Sequence, residues 1–520
     1  MDVRRRQLVL GFRLALLFVA AFLMLRMAWL GDDALITLRT ALNITHGWGP
    51  GFNSTEAVQA YTHPSWFLLW ILIGQLTNQW ILGILLVSVG LSVGAVALVL
   101  WRTASIARII VVFSLLLFSN AFMDYTSSGL ENPLAYLSIG MLVVLTLRVR
   151  WSITAAALIG LTTAVVFLTR MDLALLVAPV IAFLAWGWRR QWRLILSAGI
   201  ALIVPVVVWF AWSRVTYDAW LPNTFEAKRN LEIPAVDLVS RGLMYLWVTF
   251  QHDAVSLIVI VGGTLLGLLL GSWMLRAWSL GVLFYLAYVV SIGGDFMAGR
   301  FVAVPVLVCV MVLAVIPLDG QPRRGGARSS ELTTPSVGIA LSLVLTLLAG
   351  TWILGAGPGS LVKVSEERWD FSGSFGVADE RGAFTGLRGL DVLLRRVLNK
   401  YDQGPVNGDV YGIDVAAAVW PVRQEALTYP ISAPIPNYCV WGVGAIEAGP
   451  LVHMIDLCGL TDRFMAGVPF DPEKQFLWRM GHFNRPLPDG YWEAIVAGDP
   501  SLVKDPDERQ RLTELWAKIR

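Results

Sequence analysis

Pro64-Ser65-Trp66-Phe67-Leu68-Leu69-Trp70-Ile71-Leu72-Ile73-Gly74-Gln75-Leu76 is almost unbroken apolar sequence. At about 1.5 Å per residue, a helix of this length reaches only ~20 Å of a hydrocarbon core roughly 30 Å thick. The stretch therefore reads as a helix lying in the membrane interface. Whether it crosses sets the orientation of every later segment. Before it, residues 7–30 form an apolar run behind Arg4, Arg5 and Arg6. That run is longer than the roughly 7–15 apolar residues of a cleavable signal peptide, so it reads as a retained first helix. The three arginines hold the N-terminus in the cytoplasm and put the loop 31–63 outside.

After the short helix, apolar runs predict helices at 80–101, 106–121, 132–147, 152–168, 172–187, 193–213, 254–271, 275–292, 300–317 and 336–355. With residues 7–30 they make eleven crossings of a multi-pass plasma-membrane protein. In this register Arg102, Arg108, Arg148, Arg150, Arg189, Arg190, Arg193, Arg276, Arg323, Arg324 and Arg328 all fall in or beside cytoplasmic turns. A twelfth crossing would move most of them outside, against the positive-inside rule. The acidic loop clusters and the tail 356–520 then share the extracytoplasmic side. The expected fold is a polytopic all-α membrane domain, 1–355, followed by a soluble α+β domain, 356–520. Within that tail, 405–419 reads as strand, 387–400 and 507–519 as helix. Residues 318–335, rich in Gly, Pro, Arg and Ser, read as a cytoplasmic linker.

Composition agrees. Of 520 residues, 56% are hydrophobic, 15% are charged and 23 are Trp, against roughly 25% charged in a soluble globular chain. A formal net charge of +3, from 40 basic against 37 acidic residues, gives no reason to expect a nucleic-acid partner. The three cysteines have no metal-ligand spacing. Cys439 and Cys458 pair if the tail is exported, or stay free thiols. Walker A, GxGxxG after a strand, HExxH and GxSxG are all missing from the sequence, so ATP hydrolysis, dinucleotide chemistry, zinc proteolysis and elbow-serine hydrolysis lack their marks.

The polar residues gather at the outward ends of the helices. Asp32 and Asp33 follow the first helix, with Arg39 further on; the pair is either a loop start in which Asp33 caps a helix beginning at Ala34, or a site. The same loop carries Gly47, Phe52, Asn53, Glu56, Tyr61 and His63. Further outer turns hold Asp124 and Ser128-Gly129-Leu130-Glu131-Asn132, whose Asn132 is a candidate helix cap. Arg170-Met171-Asp172 is either an ion pair or part of a site. Trp220-Leu221-Pro222-Asn223-Thr224-Phe225-Glu226-Ala227-Lys228-Arg229 and Gly293-Gly294-Asp295-Phe296-Met297-Ala298-Gly299-Arg300 are either solvated loops or phosphate sites, since cations and glycine amides suit a phosphodiester at the membrane surface.

In their order, these motifs resemble the GT-C fold of polyprenyl-phosphate-sugar-dependent glycosyltransferases, and more closely the mycobacterial terminal β-(1→2) arabinofuranosyltransferase family. The tail's Asp456-Leu457-Cys458-Gly459-Leu460-Thr461-Asp462 and Gly481-His482 fit the same family. The resemblance implies a pentosyltransferase moving D-arabinofuranose from decaprenyl-phosphate-arabinose to arabinan or lipoarabinomannan, with the loop 31–63 catalytic. On that analogy Asp33, or Asp32, takes the proton of the acceptor hydroxyl. The departing phosphate gains charge and needs cations, for which Lys228, Arg229 and Arg300 are the candidates. Arg39, His63, Glu131, Arg170, Asp172, Asn223, Glu226 and Asp295 are the expected substrate-binding residues. A divalent cation (Mg, Mn or Ca), if one binds, would use Asp32 or Asp33. Two other readings of the same residues are a transporter or flippase of a lipid-linked sugar, and a non-enzymatic envelope assembly protein.

Overall fold

The structure is a computed structural model and describes residues 3–147, 151–229, 231, 233–317, 376–383, 435–437, 439, 442–450, 452–470 and 479–519. Its first part is helical: α1 (Val3–Arg26), α2 (Asp32–Thr45), α3 (Pro64–Thr77), α4 (Trp80–Arg102), α5 (Ile106–Leu117), α6 (Asn120–Asp124), α7 (Asn132–Thr146), α8 (Ile153–Thr169), α9 (Ala174–Trp188), α10 (Trp192–Tyr217), α11 (Asn223–Arg229), α12 (Ala235–His252), α13 (Ala254–Leu270), α14 (Trp273–Ser291) and α15 (Ala303–Val315). Among the described residues, Arg6–Arg26, Trp80–Arg102, Met171–Trp188, Trp192–Tyr217 and Trp273–Ser291 are each long and apolar enough to cross a membrane. The pair α12 and α13 passes the same test only together, bent by 112°. The chain is thus mostly helical, with five or six candidate spans.

Helices occupy each expected apolar segment through residue 315. The segment 336–355, the linker, the domain boundary at 355/356, the strand at 405–419 and the helix at 387–400 lie outside the described residues. Two local expectations are corrected. Asp33 does not cap α2: Gly31 is the N-cap and both aspartates lie in the first turn, where the positive helix end favours carboxylates. Asn132 is the first residue of α7 rather than its cap, which is Glu131. The loop expected before α13 contains α12, whose Val236, Val239, Leu243, Trp247 and Phe250 form an exposed apolar stripe at helical spacing.

The last part of the chain folds onto the loop 31–63. Strands β1 (Ile435–Asn437) and β2 (Met454–Asp456) pair in parallel, with Ile435 opposite Met454. Between them runs the helix Gly442–Ala448, which packs against α2. A Cβ on Gly442 would lie 2.2 Å from the Asp32 carbonyl oxygen, so only glycine allows this approach. Arg39, fully buried, donates to the carbonyls of Phe52 (2.9 Å), Ala445 (2.5 Å) and Val452 (2.8 Å). Asn53 exchanges two hydrogen bonds with the Met454 backbone, at 3.0 and 2.9 Å. Cys439 and Cys458 are disulfide-bonded. A separate apolar core of Phe464, Met465, Tyr491, Leu512 and Trp516 holds the helices Tyr491–Ala497 and Pro506–Ile519 together. Asp33 and the tail therefore share one face of the molecule.

Candidate active site

The turn between α14 and α15 is tight. Gly294 sits at φ +76°, and a Cβ there would lie 2.4 Å from Tyr245 Cβ. This turn brings Asp295 and Arg300 back toward the start of α2. Arg300 Nη1 lies 3.7 Å from Asp33 Oδ2 and 3.9 Å from Asp295 Oδ2, while its Nη2 donates to Glu131 Oε1 at 3.2 Å. Glu131 is also 3.9 Å from Arg170 Nε and 3.7 Å from His63 Nδ1. Arg170 Nη2 in turn donates to Asp172 Oδ2 (2.5 Å) and Tyr285 Oη (2.8 Å), and the Tyr285 hydroxyl donates to Asp172 (2.8 Å). His63 Nε2 shares a 2.8 Å hydrogen bond with the Thr37 hydroxyl. Residues from five distant stretches thus meet in one network of alternating charge.

Burial and charge act against each other here. Burial pushes the Glu131 carboxyl up, but Arg300, His63 and Arg170 outweigh it and hold it at about 2. Burial lowers His63 to about 4 in spite of Glu131, so its imidazole is neutral near pH 7. Burial raises Asp33, with Arg300 pulling the other way. Yet 33% of the Asp33 side chain is reachable by solvent.

Lys228, on α11, lies within electrostatic reach of the same carboxylates. Asp295 and Asp33 draw on its ammonium, while burial lowers its pKa. Among the described residues it has neither a hydrogen bond nor an ion-pair partner within 4 Å. Arg479, from the tail, stacks 4.7 Å over Phe296, pairs with Glu380 at 3.9 Å, and acts electrostatically on Asp33. Burial raises Glu380 to about 8. Arg381 pairs with Asp124 at 3.3 Å.

The expected site residues divide. Asp33, His63, Glu131, Arg170, Asp172, Lys228, Asp295 and Arg300 come together. Asp32 is at their edge, its Oδ2 accepting the Gly442 amide at 2.8 Å. Arg39 is a pin between α2 and the tail. Asn223 is buried, with its amide on the Gly459 and Leu460 carbonyls at 2.7 and 3.2 Å. Glu226 and Arg229 line a different cavity, of about 290 Å³, on the flank of α11. Tyr285, Glu380 and Arg479 were not anticipated; Arg479 stands two residues before the Gly481-His482 motif, while nothing local marks the other two.

The donor set suits a divalent cation poorly. No group of three or more His, Cys, Asp or Glu among the described residues is arranged to hold a metal. Asp32 is engaged by a backbone amide, and the Arg300 guanidinium stands between Asp33 and Asp295.

This architecture has a solved counterpart. It matches ArnT from Cupriavidus metallidurans bound to undecaprenyl phosphate with a TM-score of 0.50 and 14% identity, over 89% of this chain and 88% of that one. The chain has an ArnT-like fold. In sequence this ArnT-like chain resembles two proteins named terminal β-(1→2)-arabinofuranosyltransferase. The one from Corynebacterium glutamicum is 24% identical over 82% of this chain, and the one from Mycobacterium tuberculosis is 25% identical over 94%. The match spans 66% of the corynebacterial protein's own length and 86% of the mycobacterial one's. No protein-family model matches.

Proposed function

We propose that the chain is a membrane glycosyltransferase that moves a sugar, D-arabinofuranose, from a polyprenyl-phosphate donor to the end of a cell-wall glycan such as arabinan or lipoarabinomannan. One observation carries this reading: the Asp33 carboxylate, one-third exposed and 3.7 Å from Arg300, interacts electrostatically with Lys228, an ammonium with no hydrogen bond or ion pair among the described residues. The names of the two relatives, and the undecaprenyl phosphate bound to ArnT, support the sugar and the donor class.

In the reaction, the acceptor hydroxyl oxygen bonds to the anomeric carbon as the bond from that carbon to the phosphate oxygen breaks. Asp33 takes the hydroxyl proton, and burial, by raising its pKa, makes it a stronger base than an exposed carboxylate. Polyprenyl phosphate leaves with one more negative charge, which Lys228 and Arg300 meet in a low-dielectric site. Glu131, held by Arg170, fixes Arg300 in turn. Asp32 ties α2 to the tail.

In this proposal eleven helices of 1–355 cross the membrane, α3 and α12 lie in the outer interface, and 356–520 is outside. The Cys439–Cys458 disulfide suits an oxidising exterior. Replacing Asp33 with Asn in membranes supplied with decaprenyl-phosphate-arabinose should lower transfer by about 10²–10⁴-fold; unimpaired transfer removes Asp33 from the role. Movement of the donor across the bilayer without any glycosidic product would replace the enzyme by a transporter.

A further inference from the structure

The cavity on the flank of α11 is closed by three parts of the chain: the loop 31–63 through Val58, the α10–α11 region through Trp220 and Phe225, and the tail through Arg463. Its volume of about 290 Å³ lies at the low end of the roughly 300–1,000 Å³ of ligand pockets. Several polar groups in its walls are already engaged. Gln59 donates to the Tyr61 carbonyl and accepts from Ser213, Asn223 holds two tail carbonyls, and Arg463 donates to the carbonyls of Tyr217 and Asp218. Left over are the Glu226 carboxylate and the Arg229 guanidinium, which have no hydrogen bond or ion pair among the described residues. The Trp220 and Phe225 side chains, 61% and 47% exposed, complete the lining.

We propose that this cavity is a subsite for a neutral glycan, holding a sugar of the acceptor chain behind the residue that reacts. The proposal rests on the glycosyltransferase reading for the identity of that chain. Sugar hydroxyls both donate and accept, which matches a carboxylate and a guanidinium that have no hydrogen bond among the described residues. Their apolar C–H faces match two exposed aromatic rings. Glu226 acts on Arg463 across the same lining, so the cavity is not a purely cationic anion site, and a purely apolar chain would leave its charged groups without partners. Position agrees as well. Lys228 interacts with Asp295 and Asp33 while Arg229, the next residue, lines this cavity, so the charged network and the cavity meet at α11.

The test uses the full-length protein in lipid nanodiscs, with Trp220→Ala and Phe225→Ala as separate variants. The probes are an arabinofuranosyl hexasaccharide and a methyl arabinofuranoside too short to reach the cavity. Each variant should raise KM for the hexasaccharide by roughly three- to tenfold, with kcat and the KM for the methyl glycoside unchanged. An unchanged hexasaccharide KM, or equal losses with both acceptors, overturns the subsite. Titration calorimetry of the hexasaccharide without donor separates the two readings. If the wild type transfers no sugar yet binds the hexasaccharide, and Trp220→Ala abolishes that binding, the subsite stands while the transferase reading falls. A cysteine at position 220 protected from maleimide by phosphatidylglycerol, and not by the hexasaccharide, overturns it in favour of a lipid headgroup.

Discussion

Arg300 is the residue on which the network turns, because one guanidinium spans Asp33, Asp295 and Glu131 at 3.7, 3.9 and 3.2 Å. Its charge holds down an Asp33 carboxyl that burial raises. A base works only when deprotonated, so transfer should rise with pH through the folded pKa of Asp33, above the ~3.9 of a free aspartate. Arg300→Gln removes the main lowering influence and should move the acidic limb of the kcat/KM profile to higher pH while cutting the plateau rate; an unmoved limb would separate Arg300 from Asp33. Arg39 shows where a residue's meaning escaped the sequence. A basic side chain near two outward aspartates reads as substrate-binding, yet its three backbone acceptors, two of them more than 400 positions away, make it a pin. Hydrogen bonds to charged groups contribute about 1.5–3 kcal/mol each, so Arg39→Met should lower thermal stability markedly, by ~3 kcal/mol or more, rather than alter KM selectively. Equal melting temperatures for variant and wild type would restore Arg39 to the site.

Elements were legible in proportion to how far apolar periodicity alone decides them. The apolar segments from 7 to 317 became helices because uncharged runs bounded by Arg or Gly leave the backbone few alternatives. The start of α2 was misread by two residues, because Gly31 rather than Asp33 takes the extended N-cap position. α12 was missed because its polar residues, Asp237, Ser240 and Arg241, interrupt the run, and only the spacing of Val236, Val239, Leu243 and Trp247 reveals a face. α3 was readable from length. Its Trp66, Trp70 and Gly74 are buried against the bundle, with Trp66 Nε1 donating to the Gly129 carbonyl at 2.8 Å, while Leu68, Leu72 and Leu76 are exposed. One stripe packs on protein and the other is left for lipid. If α3 dips and returns, cysteines at Ser54 and Asn78 should both react with a membrane-impermeant maleimide from outside intact cells. Labelling of one only from the inside would make α3 a crossing and reverse every later helix.

At the scale of the whole molecule, the tail returns to the first outer loop and adds Arg479 to the charged network. Gly442 on Asp32, Asn53 on Met454 and Arg479 beside Phe296 bring segments hundreds of residues apart to one face. Sequence order revealed which motifs belong together, but not that Arg479 and Glu380 join them, since neither residue carries a local mark. The split of α11, with Lys228 toward the network and Arg229 toward the second cavity, was likewise invisible in a run of adjacent bases. The account stands on the lipid phosphate meeting Lys228 and Arg300 with the sugar turned toward Asp33. An experimental structure of the Asp33→Asn protein with decaprenyl-phosphate-arabinose tests this directly. The account predicts the phosphate within hydrogen-bonding reach of both cations and the anomeric carbon facing residue 33; a phosphate bound elsewhere, with residue 33 remote from the sugar, would contradict it.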